Sequence, residues 1–128
     1  MVQLMSQRSA DEILFRHVAT DEDERGFLPC LRRGEPVSVA KVAELEGALG
    51  RLAEELRGTE IMKRRTAHAL YRLALESQVL LTDAWPGVFD ERMIGAIRTV
   101  QEAVELILSG QEIPGYSAPS ASGSERSN

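Results

Sequence analysis

The run RRTAHALYRLALESQVLLTDAWPGVFDERMIGAIRTVQEAVELILSG (residues 64–110) decides the fold. It holds two apolar-periodic stretches hinged at Ala84-Trp85-Pro86-Gly87. In the second, Met93, Ile97, Val100, Val104 and Ile107 step by four, three, four and three, which places them on one face of a helix. Asp90 has the side chain of an N-cap for that helix, and Gly110 ends it. In the first, Met62, Ala69, Leu73 and Leu80 share an inner face that Leu70 and Ala74 broaden. With Thr59 as cap, this spacing predicts a helix from Thr59 to near Asp83, roughly 36 Å long at about 1.5 Å per residue. Pro86 stops the run and Gly87 frees the turn.

Upstream of this run the helical pattern continues. Ser9-Ala10-Asp11-Glu12 has the spacing of a capping box, and Ile13, Leu14, His17 and Val18 follow on one face. Phe27-Leu28-Pro29-Cys30-Leu31-Arg32-Arg33-Gly34 reads as a short helix with Pro29 near its start and a glycine stop. Arg32 and Arg33 lie where the helix dipole favours cations. Ser38 caps a third segment, in which Val42, Leu45, Leu49, Leu52 and Leu56 form a helical stripe that ends at Gly58. Gly47 and Gly50 inside it either admit a close helix approach or weaken the helix, by about 1 kcal/mol each against alanine.

The pattern predicts an all-α protein, a small bundle of four to five helices. The chain divides into a flexible N-terminus (1–8), one helical domain (9–111) and a Gly/Pro/Ser-rich disordered tail (112–128). With 128 residues and 43% apolar content, a single modest core is expected. The net charge of −5 disfavours nucleic acid and anionic membrane as partners. One cysteine, Cys30, rules out an internal disulfide framework and suits a reducing compartment. There is no secretory signal and no apolar run long enough to cross a membrane, so the expected location is cytoplasmic.

The chemistry-bearing residues are few. His17 and His68 have no ligand at metal spacing, so a satisfied or surface histidine outweighs a metal site. Cys30 sits in an apolar stretch and reads as a small buried hydrophobe without a base beside it. The acidic patch Asp21 to Glu24 lacks the spaced ligands and turn glycine of a calcium loop. Neither a phosphate-binding glycine loop nor a nucleophile elbow occurs. No catalytic residue, metal or cofactor is therefore assigned.

Two features remain. Arg64, His68 and Arg72, spaced by four, line one helix stripe that could hold an anion or an acidic segment. The plainer reading is a solvated face paired with Glu60 and Glu76. Trp85, with Phe89 close by, either plugs a bundle end or anchors an interface, a role in which tryptophan and arginine are favoured.

The order Phe27-Leu28-x-x-Leu31-x-x-Gly34-x-Pro36, Ala48-Leu49, Leu56-x-Gly58, Ala69-Leu70-x-x-Leu73-Ala74-x-Glu76-Ser77, Trp85-Pro86, Asp90-Glu91 and Val104 to Gly110 resembles a family of small cyanobacterial proteins. Many of them carry the label dethiobiotin synthetase. The resemblance spans residues 27 to 110 and is collinear. It departs at the corner, where the family has a longer segment before the tryptophan and a second proline in place of Gly87. It implies a cyanobacterial origin and a housekeeping or photosynthesis-linked setting, and it transfers no catalytic residue. The label itself fails on physical grounds. Such an enzyme holds ATP with a P-loop between a strand and a helix, and this sequence offers neither the loop nor the buried strands.

The resulting expectation is a non-enzymatic protein-binding module of the adaptor or assembly-factor type. A partner helix or tail would lie in an apolar groove between the C-terminal helices, formed by Tyr71, Trp85 and Phe89 with Arg64, His68 and Arg72 at its rim. The first alternative is a homo-oligomer, a dimer in the simplest case, in which the stripes of helices 38–57 and 91–109 pack between subunits. The second is a small anionic-ligand binder using the Arg64/His68/Arg72 stripe.

Overall fold

A computed structural model describes residues 9–20 and 25–110. The expected flexible N-terminus (1–8), the acidic patch (21–24) and the expected disordered tail (112–128) lie outside the described residues. The helices are α1 (Ala10–Val18), α2 (Phe27–Arg32), α3 (Val39–Glu55), α4 (Arg64–Val79) and α5 (Glu91–Ser109). A single π-helical turn, Leu80–Ala84, prolongs α4. The described residues contain no strand, and the fold is a small all-α bundle.

Local chemistry sets most of the boundaries. The hydroxyl of Ser9 accepts the Glu12 N–H at 3.2 Å, and that of Ser38 accepts the Lys41 N–H at 3.1 Å. The Asp90 carboxylate accepts the Met93 N–H at 3.0 Å. Each satisfies a backbone donor that a helix start leaves without an intrahelical partner. At the other end of α5, Gly110 takes the left-handed conformation, and its N–H closes on the Leu106 carbonyl.

The helices form a ring. α1 packs against α3 and α4, and α5 packs against the same two from the opposite side. Thus α1 and α5 lie diagonally across the core, as do α3 and α4. The short α2 lies against α1, α3 and α4 and against the π turn. Leu14, Phe27, Leu31, Leu45, Leu49, Leu70, Leu73, Met93 and Ile97 are fully enclosed between them.

Two readings are corrected and one open alternative is decided. The long helix starts at Arg64 rather than Thr59, because α3 and α4 are diagonal and the chain must first cross the end of the bundle. Thr59 instead closes the preceding helix, its hydroxyl donating to the Leu56 carbonyl at 3.0 Å. Val42, Leu45, Leu49 and Leu52 of α3 are buried, as are Met93, Ile97, Val100, Val104 and Ile107 of α5. The stripes that the homo-oligomer alternative places between subunits are buried within the monomer itself. Lastly, Gly47 and Gly50 serve no close approach, since nothing lies within 4 Å of where a Cβ would stand, and Gly95 in α5 is equally open. Gly47→Ala and Gly50→Ala should therefore each stabilise the fold by up to about 1 kcal/mol in chemical denaturation. A loss of stability in both would mean that the backbone there needs its freedom.

Candidate functional site

Of the six residues expected to form one groove, four lie together on α4, while Trp85 and Phe89 lie elsewhere. Arg64, His68 and Tyr71 stand on the outward face of α4. Arg72, at the edge of that face, is turned aside by Glu76 one helical turn on, which it pairs with through Nη2. Phe89 is buried in the core. Trp85 is half-buried, roughly 20 Å along the α4 axis from Tyr71.

The π turn explains where Trp85 goes. Its N–H bonds to the Leu80 carbonyl at 3.0 Å, five residues back. The extra residue in the turn rotates the chain relative to the α-helical register. The indole ends up flat against Gly34, where a Cβ would meet the ring at 2.9–3.0 Å. Gly34 also has φ +72°, so both its conformation and its lack of a side chain are used. Trp85 is thus a plug between the α2 corner and the π turn. Its Nε1 is buried without a hydrogen-bond partner among the described residues. The groove between the C-terminal helices loses its anchor.

Glu76 is the centre of a network spread across three helices. Arg32 of α2 meets it with two hydrogen bonds, Nε to Oε2 at 2.6 Å and Nη2 to Oε1 at 3.0 Å. The same guanidinium donates to the carbonyls of Val18, at 3.2 Å, and Ala19. Arg32 therefore satisfies the free carbonyls at the end of α1 while holding α2 to α4. The hydrogen bonds from Arg32, then those from Arg72, hold the Glu76 carboxyl below the ordinary glutamate range despite its burial.

His17 is a second junction. Its ring is buried, Nδ1 accepts the Phe27 N–H at 3.0 Å, and Nε2 meets Glu44 Oε1 at 2.9 Å. An Nδ1 that accepts is unprotonated, so the proton on Nε2 points at the Glu44 carboxylate. Burial raises the Glu44 pKa, but the His17 hydrogen bond and nearby Lys41 outweigh this and set it below the ordinary range. Two further contacts pin the start of α4 to α1. Lys63 pairs with Asp11 at 3.4 Å, and the Arg65 guanidinium lies 4.1 Å from the centre of the Phe15 ring. These groups are structural.

The open concavity lies elsewhere, at the end of the bundle where α3 and α5 finish. It is a cleft of about 430 Å³ between Ala53 and Leu56 of the α3 end, Ile61 and Met62 of the crossing segment, and Leu106 and Leu108 of α5. The Arg57–Glu54 pair, at 2.7 Å, and Glu60 edge it with charge. Ile61 is 83% exposed at its rim, more than any other large apolar side chain described. Reading residues 59–63 as helix hides this feature, since it gives Ile61 an ordinary position on a helix face. The sequence's only hint is an isoleucine and a methionine directly after the Gly58 stop.

Among the described residues, no three His, Cys, Asp or Glu side chains are grouped to hold a metal ion, and no helix is long and apolar enough to cross a membrane. Comparisons with protein-family models, with curated proteins and with solved structures return no match to this chain.

Proposed function

We propose that this protein is a non-enzymatic protein-binding module of the adaptor or assembly-factor type, which takes an apolar helix or tail of a partner in the cleft at the α3 and α5 ends. The observation that carries the reading is Ile61, exposed with half-exposed Leu108 on the wall of a cleft whose lining mixes apolar and polar groups. Scattered apolar side chains on a surface need no explanation, but apolar groups gathered around a concavity with a charged edge are what partner segments fill. Two of the walls belong to the ends of α3 and α5, and the third is the crossing segment that carries Ile61 and Met62.

The test is comparative capture from extract of the source organism with immobilised wild-type chain and Ile61→Asp. Ile61 makes little contact with the core, so the variant should keep its helicity and melting temperature. A protein retained by the wild type should fall at least tenfold with Ile61→Asp, while Trp85→Phe retains it. Equal retention by wild type and Ile61→Asp would remove the cleft from the function.

A further inference from the structure

The outward face of α4 carries a second exposed apolar feature. Tyr71, Leu75 and Val79, one turn apart, are 54%, 46% and 41% exposed. They continue a line that begins at Arg64 and His68, both exposed, and ends at exposed Thr82 and Asp83. The line is therefore basic at its start, apolar in the middle and acidic at its end. Lys63 pairs with Asp11 while staying exposed, and Arg65 lies over Phe15 of α1, so Arg64 is the cation that stands on the line itself at that end. The backbone adds to the polarity, because a helix carries partial positive charge at its N-terminus and partial negative charge at its C-terminus.

Such a line complements itself when reversed. If two copies cross antiparallel with a two-fold axis level with residue 73, Tyr71 of each faces Leu75 of the other. In the same register His68 meets Gln78, Val79 covers Ala67, and Arg64 comes to the π turn that carries Asp83. A parallel pairing would instead bring Arg64 against Arg64 and Asp83 against Asp83. Like charges directly opposed are unfavourable, so the reversed arrangement is selected. A two-fold interface uses the same patch on both subunits, as this one does.

From this arrangement we infer that the exposed face of α4 is the contact surface for a second copy of this chain, paired antiparallel about residue 73. The face runs some twenty residues, about 30 Å of helix, at the small end of stable interfaces. The dimer is accordingly a dissociable one. It uses a surface separate from the cleft, and Leu75→Glu leaves the cleft's capture intact, so the two readings fail independently.

The test is sedimentation equilibrium on the full chain from roughly 1 μM to roughly 1 mM, the range where weak association shows. The mass should rise from 14.1 kDa toward twice that value. Leu75→Glu should hold it at the monomer value throughout with helicity unchanged. Arg64→Asp should weaken association at least tenfold at low salt, and Asp83→Arg added on the same chain should restore it. A monomer mass across the whole series, a dimer that survives Leu75→Glu, or a double variant that stays as weak as Arg64→Asp would each overturn the inference.

Discussion

His17→Ala is expected to cost about 3–4 kcal/mol, a large share of the stability of a domain this size. Three losses combine. The enclosed ring leaves a cavity between α1, α2 and α3, the Phe27 N–H loses the acceptor it meets at 3.0 Å, and Glu44 loses its 2.9 Å partner. The Phe27 N–H belongs to the first residue of α2, where no carbonyl of the same helix can replace the imidazole. His17→Phe separates the cavity from the polar losses, because it refills most of the space and still leaves the donor unsatisfied and Glu44 without the ring. About 1–3 kcal/mol should remain lost with phenylalanine, measured by urea denaturation. A phenylalanine variant as stable as the wild type would show that the Phe27 N–H finds another partner.

Arg32→Ala should cost about 3 kcal/mol, or a fall in melting temperature of roughly 15 °C. It removes the two-pronged pair with Glu76 and the donors to Val18 and Ala19 together. Arg32→Lys should recover less than half of this, since an ammonium cannot present the planar fork that spans both carboxylate oxygens and two carbonyls. The network also sets an acid limit. Glu76 and Glu44 both ionise below their ordinary value of 4.5 in the folded protein. Their contribution is therefore full above about pH 4.5 and lost as the pH falls through the lowered folded values. Unfolding free energy should drop between pH 5 and pH 3, and the drop should be smaller in Glu76→Gln. A wild-type stability that stays level over that window would contradict the pairing.

How much of this was legible in the sequence depended on range. Ser9, Ser38 and Asp90 act on backbone groups three residues away, so their caps can be read from short spacings. The stripes of α3 and α5 repeat over several turns, and their buried faces agree with the structure except at Leu56, which lies past the end of α3, half-buried at the cleft. Thr59 shows the limit of such signals. It has a cap's side chain, but the diagonal placement of α3 and α4 demands a crossing segment, and that demand comes from the tertiary arrangement. The π turn escapes for a related reason: one inserted residue changes no composition yet rotates Trp85 onto Gly34. The pairing of Arg32 with Glu76 joins residues 44 apart, and no local pattern announces it. The expected groove does not assemble, because Phe89 is buried and Trp85 packs on Gly34 while Tyr71 stays exposed on α4, and Arg72 is turned toward Glu76. The cleft around Ile61 appears only once the crossing segment is no longer read as helix.

The proposed binding surface is the bundle end formed by Leu56, Ile61 and Leu108. The most direct measurement is photo-cross-linking in the source organism from a benzophenone side chain placed at position 61, with position 46 on the outer face of α3 as control. Binding in the cleft predicts one dominant cross-linked protein from position 61 that is absent from position 46. No cross-linked protein from position 61, or the same products from both positions, would contradict it.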